Sequence, residues 1–487
     1  MTGAHATLPR VTDDPSPTAS GPSVAPFRGA DDLVRLTGGR LLARSDRPVR
    51  GAAVDSRRVE AGNLFVALPG ERTDGHAHLG DAIARGASAV LVTRPPADPE
   101  ALGDVTVIRV TQPIAALGAV AAGWRTRFGP LVVGVTGSIA KTSTKEAIAA
   151  VLATARRTLK SEGNQNNEIG LPLTVLRLGP EHEAVVLEMG MYVGGEIADL
   201  AAIARPSIGV VTAVQAVHLS RIGSLEAVER AKGELLEALP TSGTAILNAD
   251  DPIVDRMDRR TGARVLRYGF AEQADVRASR LASAGFDGMR VELTTPAGSH
   301  AVAIPTPGRL SVHNALAGAA VGLVAGMTLD EVVTGLAGGW SAAHRAEIVR
   351  LHGATVIDDS YNASPGSMLA ALELLAGLPG RHVAVLGEML ELGEGHEHGH
   401  IAVGEAAAGA CELLIVVGRD ARGMVDGALA AGLDAARIHH VADEEDALEA
   451  LRPRLRDGDT ILVKASRGVA LDRLVAALRL ELGEAAP

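Results

Sequence analysis

The sequence predicts an α/β protein of three domains. At 487 residues the chain exceeds what one hydrophobic core usually serves, and ~150 residues per domain suggests about three. Runs rich in Val and Ile recur between stretches of Ala- and Leu-rich helical pattern, as in strands joined by helical crossovers. Near residues 338–344 the composition changes and the strand–helix alternation starts afresh. Aromatic residues make up only 2% of the chain, so the cores must be aliphatic.

Residues 1–27 are rich in Pro, Ser, Thr and Ala without apolar periodicity and are expected to be a disordered tail. A small α/β domain follows over 28–111: the strand NLFVAL, a polar loop, a helix and the strand SAVLV. The central domain is expected over 112–341. It opens with an Ala-rich helix to about Arg127, then a strand at 131–135, then the apolar runs EAVVLEM, SIGVVTAV and GTAILN separated by helical pattern. That spacing implies βαβ crossovers and a mostly parallel sheet. PTPGRLSVHNALAGAAVGLVAG reads as a turn and a helix. The third domain, 342–487, carries ATVIDDSYN, HVAVLGEML, LLIVVG and TILVKAS.

Bulk properties exclude several functions. A net charge of −11 argues against nucleic-acid binding, which needs a basic face. The single cysteine, Cys411, permits no internal disulfide and sits in the apolar context CELLIVVG. The longest apolar stretch is too short and Gly-rich to span a bilayer, and no basic-then-apolar leader opens the chain. A cytoplasmic, monomeric protein without membrane insertion is expected.

The stretch LVVGVTGSIAKTSTKEAIAA carries the chemistry. An apolar strand ends at Thr136, a small-residue loop follows, and Lys141-Thr142 opens a helix. Gly137, Ser138, Ile139, Ala140, Lys141, Thr142 and Ser143 can present backbone N–H groups, a helix N-terminus and an ammonium to phosphates. Ala140 stands where such loops usually carry Gly, and is tolerable if its φ is negative. The plainer alternative is an ordinary strand–turn–helix corner. The Thr142 hydroxyl suits Mg²⁺. So does Glu188, a carboxylate at the C-terminal end of an apolar strand, where ligands sit in open α/β sheets. His218, after the next strand, is a candidate second metal ligand, although a lone loop histidine is commonly just exposed. Asn166 and Asn167, in GNQNNEIGLP, offer amide donors to phosphate or sugar oxygens.

The chain has five lysines: Lys141, Lys145, Lys160, Lys232 and Lys464. Arg fills most other basic positions, so a retained Lys is a candidate for work that a permanently charged guanidinium cannot do. Lys160 is expected on a solvated surface. Lys141 and Lys232 each fall within a constellation. The cluster His396, His398 and His400 matches no strong zinc spacing and is expected to be a solvated loop.

TGSIAKTSTKE, GNQNNEIGLPLTVL, EMGMYVGGEI, HLSRIGSLEAVERAKGELLEALP, DDSYNASPGSMLAAL, LGEMLELGE and VKASRG, in that order, resemble the Mur ligases over about 48–480. Within that family they are similar to the branch that adds D-alanyl-D-alanine to UDP-N-acetylmuramoyl-tripeptide. The resemblance implies a small N-terminal domain for the UDP-sugar peptide, a central P-loop-type ATP domain and a Rossmann-like C-terminal domain on the D-alanyl-D-alanine side. It implies ATP-dependent amide-bond formation through an acyl phosphate, with two Mg²⁺ ions, in peptidoglycan precursor synthesis. Lys141 would serve the β- and γ-phosphates, Thr142 and Glu188 one Mg²⁺, and His218 a second. Lys232 would be carbamylated by CO₂ and become an anionic metal ligand; the plainer alternative is a surface Lys paired with Glu229 or Glu237. Asn314 resembles an adenine contact, Asp359 a ribose contact and Arg345 a γ-phosphate contact. Asp55, Ser56 and Arg57 match a run that meets the uridine nucleotide. Tyr361 and Asn362, and Lys464, Ser466 and Arg467, match substrate-binding runs. Ala140, Ser220 and Ala465 depart from the family pattern. Whether the tripeptide carries diaminopimelate or lysine is left open.

Overall fold

The computed structural model describes residues 27, 29–70, 73–215 and 222–485. Among these, the strands form three sheets of five, nine and six strands. In the first, Arg40–Ala43 pairs antiparallel with Thr106–Arg109, and Ala89–Val92, Leu64–Val66 and Ala52–Ala53 continue in parallel. In the third, Glu347–Leu351 is the antiparallel edge. Ala354–Asp358, Asp459–Lys464, Arg381–Gly387, Leu413–Val417 and Ile438–Val441 then run parallel.

The central sheet places Leu131–Thr136 between Ala184–Glu188 and Ile208–Val211, all parallel. Strands of a parallel sheet are covered on both faces and read as unbroken apolar runs. Ala184–Glu188 is buried at every position, Glu188 included. Alternate side chains serve opposite layers. Val132 joins the core under the helices Pro113–Arg125, Glu196–Ala204 and Leu225–Glu237. Val133 joins the core under Lys141–Ala153 and Arg309–Val324.

The sheet is wider than the apolar runs imply. Thr158–Lys160 is a short, polar edge strand, and Arg264–Gly269 adds a further parallel strand. Val276–Ser283, Met289–Thr295 and Gly298–Ile304 form an antiparallel extension with only one face buried. Their alternation of apolar and polar residues hides them from a search for continuous hydrophobic runs.

Residues 1–26 lie outside the described residues. Phe27, expected to end the tail, is 1% exposed, and its ring centroid lies 4.9 Å from that of Trp124. The helix Pro113–Arg125 packs close on two sides. A Cβ on Gly123 would lie 2.5 Å from Leu36, and one on Gly118 would lie 3.2 Å from Ile203. Glycine therefore admits the neighbouring layers at both points.

Candidate active site

Strand Leu131–Thr136 delivers the chain to the C-terminal edge of the sheet, where Gly137 turns it sharply with φ +153°. A Cβ here would lie 1.9 Å from Thr212 Oγ1, so close approach of the backbone as well as its φ requires glycine. Thr212 Oγ1 donates to the Ile139 carbonyl at 2.6 Å. Ser138 N donates to Ala213 O at 2.7 Å, and Ser138 Oγ exchanges bonds with the Gln215 backbone. The loop is thus held from the next strand end before any ligand arrives.

Ala140 does not have the negative φ expected of it. It adopts φ 64°, ψ 2°, the left-handed conformation. The bend usually assigned to glycine is retained, and only the residue has changed. Helix Lys141–Ala153 starts directly after it, with Lys141 Nζ donating to Gly137 O at 2.8 Å. Enclosure lowers the pKa of Lys141, an effect opposed by Glu188 and reinforced by Arg345.

Two buried oxygens here have no hydrogen-bond partner among the described residues: Thr142 Oγ1 and Glu188 Oε2. Glu188 is 1% exposed, and its other oxygen, Oε1, accepts from Asn166 Nδ2 at 2.8 Å. Leaving a carboxylate oxygen bare in a closed site is costly unless a cation or donor arrives there. A hydroxyl and a carboxylate are donors suited to a hard divalent cation, so the residues fit Mg²⁺.

A cavity of about 1260 Å³ opens from this corner between the central and C-terminal sheets. Ser138, Ile139, Ala140, Lys141, Thr142 and Ser143 line one wall, with Asn166, Asn167 and Glu188 beside them. Asn167 also accepts from Gly170 N at 2.9 Å, so it shapes the loop as well as facing the cavity. Asn314, at 4% exposure, faces the cavity while its Oδ1 accepts from Thr144 Oγ1 at 2.9 Å.

The C-terminal residues form the opposite wall. The Arg345 guanidinium lies 4.1 Å from the Tyr361 ring centroid, and that of Arg467 lies 5.6 Å from it. Lys464 Nζ donates to Asp359 Oδ2 at 2.6 Å and to Asn362 O at 2.9 Å. Burial lowers the Lys464 pKa, and Asp359 opposes that shift. Ser466 Oγ accepts from Leu390 N at 2.9 Å.

Lys232 is 3% exposed and is not among the described residues that line the cavity. Burial, and then the neighbouring Lys141 charge, push its pKa well below the ordinary lysine value. The surface-pair alternative fails because Lys232 is buried, and Glu229 and Glu237 pair instead with Arg256 and Arg260, each at 2.6 Å. His218 and Ser220 fall outside the described residues.

Asp55, Ser56 and Arg57 do not line this cavity. Asp55 caps the short helix Ser56–Arg58 and accepts from the Arg57 guanidinium at 2.7 Å, which holds its pKa down at about 2. Lys160 is half exposed and bonds Glu146. His400 is buried rather than solvated. It accepts from Met389 N at 3.0 Å and bonds the His396 carbonyl at 2.7 Å, while His396 reaches Asp420 O. Packing occupies both histidines.

Sequence reading overlooked Thr212 and Gln215, although both follow the C-terminal end of a parallel strand, where ligand loops gather. It also overlooked Leu281, Phe286 and Met289, which the antiparallel extension brings to the cavity from far along the chain.

Three domain models match in order: the Mur ligase family catalytic domain over residues 48–125, the Mur ligase middle domain over 135–322, and the Mur ligase glutamate ligase domain over 344–467. The chain is 38% identical to the UDP-N-acetylmuramoyl-tripeptide–D-alanyl-D-alanine ligase of Escherichia coli K12, over 90% of this chain and 95% of that one. It is equally similar to the Mycobacterium tuberculosis H37Rv enzyme of the same name, over 87% and 91%. Among solved structures it resembles MurF from Acinetobacter baumannii, with TM-score 0.82 and 28% identity over 93% of this chain and 98% of that one. It also resembles Thermotoga maritima MurF in complex with ADP, with TM-score 0.78 and 29% identity over 89% and 98%. With three family models matched in chain order and 38% identity over nearly the whole length of such relatives, the chain belongs to the Mur ligase family.

Proposed function

We propose that this protein is an ATP-dependent, ADP-forming ligase that joins D-alanyl-D-alanine to UDP-N-acetylmuramoyl-tripeptide in peptidoglycan precursor synthesis. The observation that carries the reading is the pair of bare, buried oxygens, Thr142 Oγ1 and Glu188 Oε2, at the mouth of a preformed phosphate loop. The likeness to ligases of this name over nearly the whole chain supports the choice of substrates.

In this reading the tripeptide carboxylate attacks the γ-phosphorus and ADP leaves. The dipeptide amine then attacks the acyl phosphate carbonyl, and inorganic phosphate leaves as the amide forms. The first step brings two anions together, so cations must neutralise them and fix their alignment. Lys141 and the backbone of 137–143 hold the β- and γ-phosphates. Arg345, stacked on Tyr361, brings a guanidinium to the γ-phosphate from the opposite wall. Asn314 and Asp359 bind the adenine and ribose ends. Thr142 and Glu188 would hold Mg²⁺, with Lys232 and His218 serving a second ion; bound there, Mg²⁺ supplies charge neutralisation to the transferring phosphoryl group. Burial lowers the Lys232 pKa and so favours the neutral amine, the form that adds to CO₂ to give a carbamate, which supports the ligand role. Asn166 and Asn167, with Tyr361, Asn362, Lys464, Ser466 and Arg467, position the peptide substrates, while Asp55, Ser56 and Arg57 take the uridine end. The proposed domain division is 28–111, 112–341 and 342–487. Closure of the third domain excludes water, which would hydrolyse the acyl phosphate.

The test is phosphate release from ATP, expected only when both UDP-tripeptide and D-alanyl-D-alanine are present. Silence with this pair but turnover with another carboxylate and amine would assign a different ligase. ATP binding without release under any pairing would leave only a nucleotide-binding protein.

A further inference from the structure

Lys145 has no part in the chemistry above, yet it is the most thoroughly enclosed lysine in the described residues, at 0% exposure. It lies one helical turn beyond Thr142 on the helix Lys141–Ala153. Its ammonium donates to Ser161 O at 2.7 Å and Gly163 O at 3.0 Å, and lies 2.9 Å from Glu146 Oε1. Two carbonyls and a carboxylate surround a charge that burial would otherwise make costly. The two carbonyls belong to loop 161–167, which supports Glu188. Ser161 Oγ accepts from Glu188 N at 3.2 Å, Asn166 Nδ2 donates to Glu188 Oε1 at 2.8 Å, and Asn166 O accepts from Gly190 N at 2.8 Å. One helix therefore carries the bare Thr142 oxygen and, a turn later, the pin on the loop that aims the bare Glu188 oxygen.

We propose that Lys145 is a positioning residue for the cation site. By tying loop 161–167 to the phosphate-loop helix it sets the spacing between Thr142 Oγ1 and Glu188 Oε2. A cation held by both oxygens depends on that spacing, whereas the backbone amides that meet phosphates do not. The inference rests on the ligase reading for the identity of the nucleotide and cation. It adds that the MurF-like Asn-rich loop and the phosphate loop act as one rigid clamp through a single buried ammonium.

The experiment uses the full chain, with Mn²⁺ as the cation probe. Mn²⁺ affinity is measured by electron paramagnetic resonance in the presence of ADP, and ADP affinity by calorimetry in EDTA. Lys145→Met is expected to weaken Mn²⁺ about tenfold while leaving ADP affinity in EDTA within twofold. Mn²⁺ affinity within twofold of the parent would overturn the proposal, as would equal losses in both affinities, the mark of a merely structural role. If Lys145→Met does not fold, Lys145→Gln carries the test, since its shorter, neutral amide keeps a polar donor but cannot reproduce the ammonium's bonds to both carbonyls. A severalfold loss of Mn²⁺ affinity alone supports the proposal, and no loss overturns it. A parent protein that takes up no Mn²⁺ with ADP would instead sink the cation-site reading itself, and this inference with it.

Discussion

Replacing Ala140 with glycine is expected to stabilise the protein. A non-glycine residue in the left-handed region carries a cost of ~1–2 kcal/mol from the approach of its Cβ to the following carbonyl. Ala140 sits there at φ 64°, ψ 2°, held by Ser138 and Thr212 on one side and by the helix start on the other. Glycine removes that strain but widens the unfolded ensemble, at a cost of about 0.4–1 kcal/mol. The lost methyl is only half-buried, so little apolar packing disappears with it. The balance is a gain of roughly 0.5–1 kcal/mol, or ~1–4 °C in the unfolding of a domain of this size. Differential scanning calorimetry in EDTA measures it, and ADP titration should show affinity held within about threefold, since the backbone path is already that of glycine. Ala140→Val is the companion, expected to lose at least ~1 kcal/mol because a β-branched side chain tolerates the left-handed region worst. A midpoint for Ala140→Gly that stays put or falls would refute the strain argument.

Three further outcomes follow from the same geometry. Glu188→Gln should stabilise the protein in EDTA by ~1 kcal/mol or more, read as a higher unfolding midpoint, because it removes a buried charge with a bare oxygen; the extra stabilisation that Mg²⁺ adds in the presence of ADP should vanish in the same scans. Lys232 has a folded pKa well below 10.5, so the unfolded chain binds the extra proton and stability falls as pH drops from about 10.5 toward the folded value. In CO₂-free buffer Lys232→Met should therefore be more stable than the parent at pH 7 and show a flatter stability-versus-pH curve, read by urea titration, while losing ligase activity. With ¹³C-bicarbonate present, the parent but not the variant should show a carbamate carbon signal by NMR. Gly137→Ala places a Cβ 1.9 Å from Thr212 Oγ1 and should cost ~1–3 kcal/mol by overpacking, with at least a tenfold loss of ADP affinity by calorimetry.

Much of this protein is written locally. The strands Leu131–Thr136, Ala184–Glu188 and Ile208–Val211 are legible because a parallel strand covered on both faces is apolar throughout. Their spacing by helices determines the parallel order, and the order determines which edge gathers the loops. Lys141, Thr142 and Glu188, which line one cavity, were therefore legible as candidates from residue type and place along the chain. Other features depend on partners distant in the chain. Nothing beside Ala140 announces a positive φ; the loop is forced into it by bonds to Thr212, Ala213 and Gln215. Nothing beside Lys232 announces that Glu229 and Glu237 are taken by Arg256 and Arg260. The antiparallel extension alternates polar and apolar residues and so mimics solvated chain until its sheet is assembled. Residue type and spacing determined the chemistry available to this chain. Burial and long-range hydrogen bonding, which exist only once the sheets are packed, decided which lysines have a lowered pKa and which buried oxygens have no partner among the described residues.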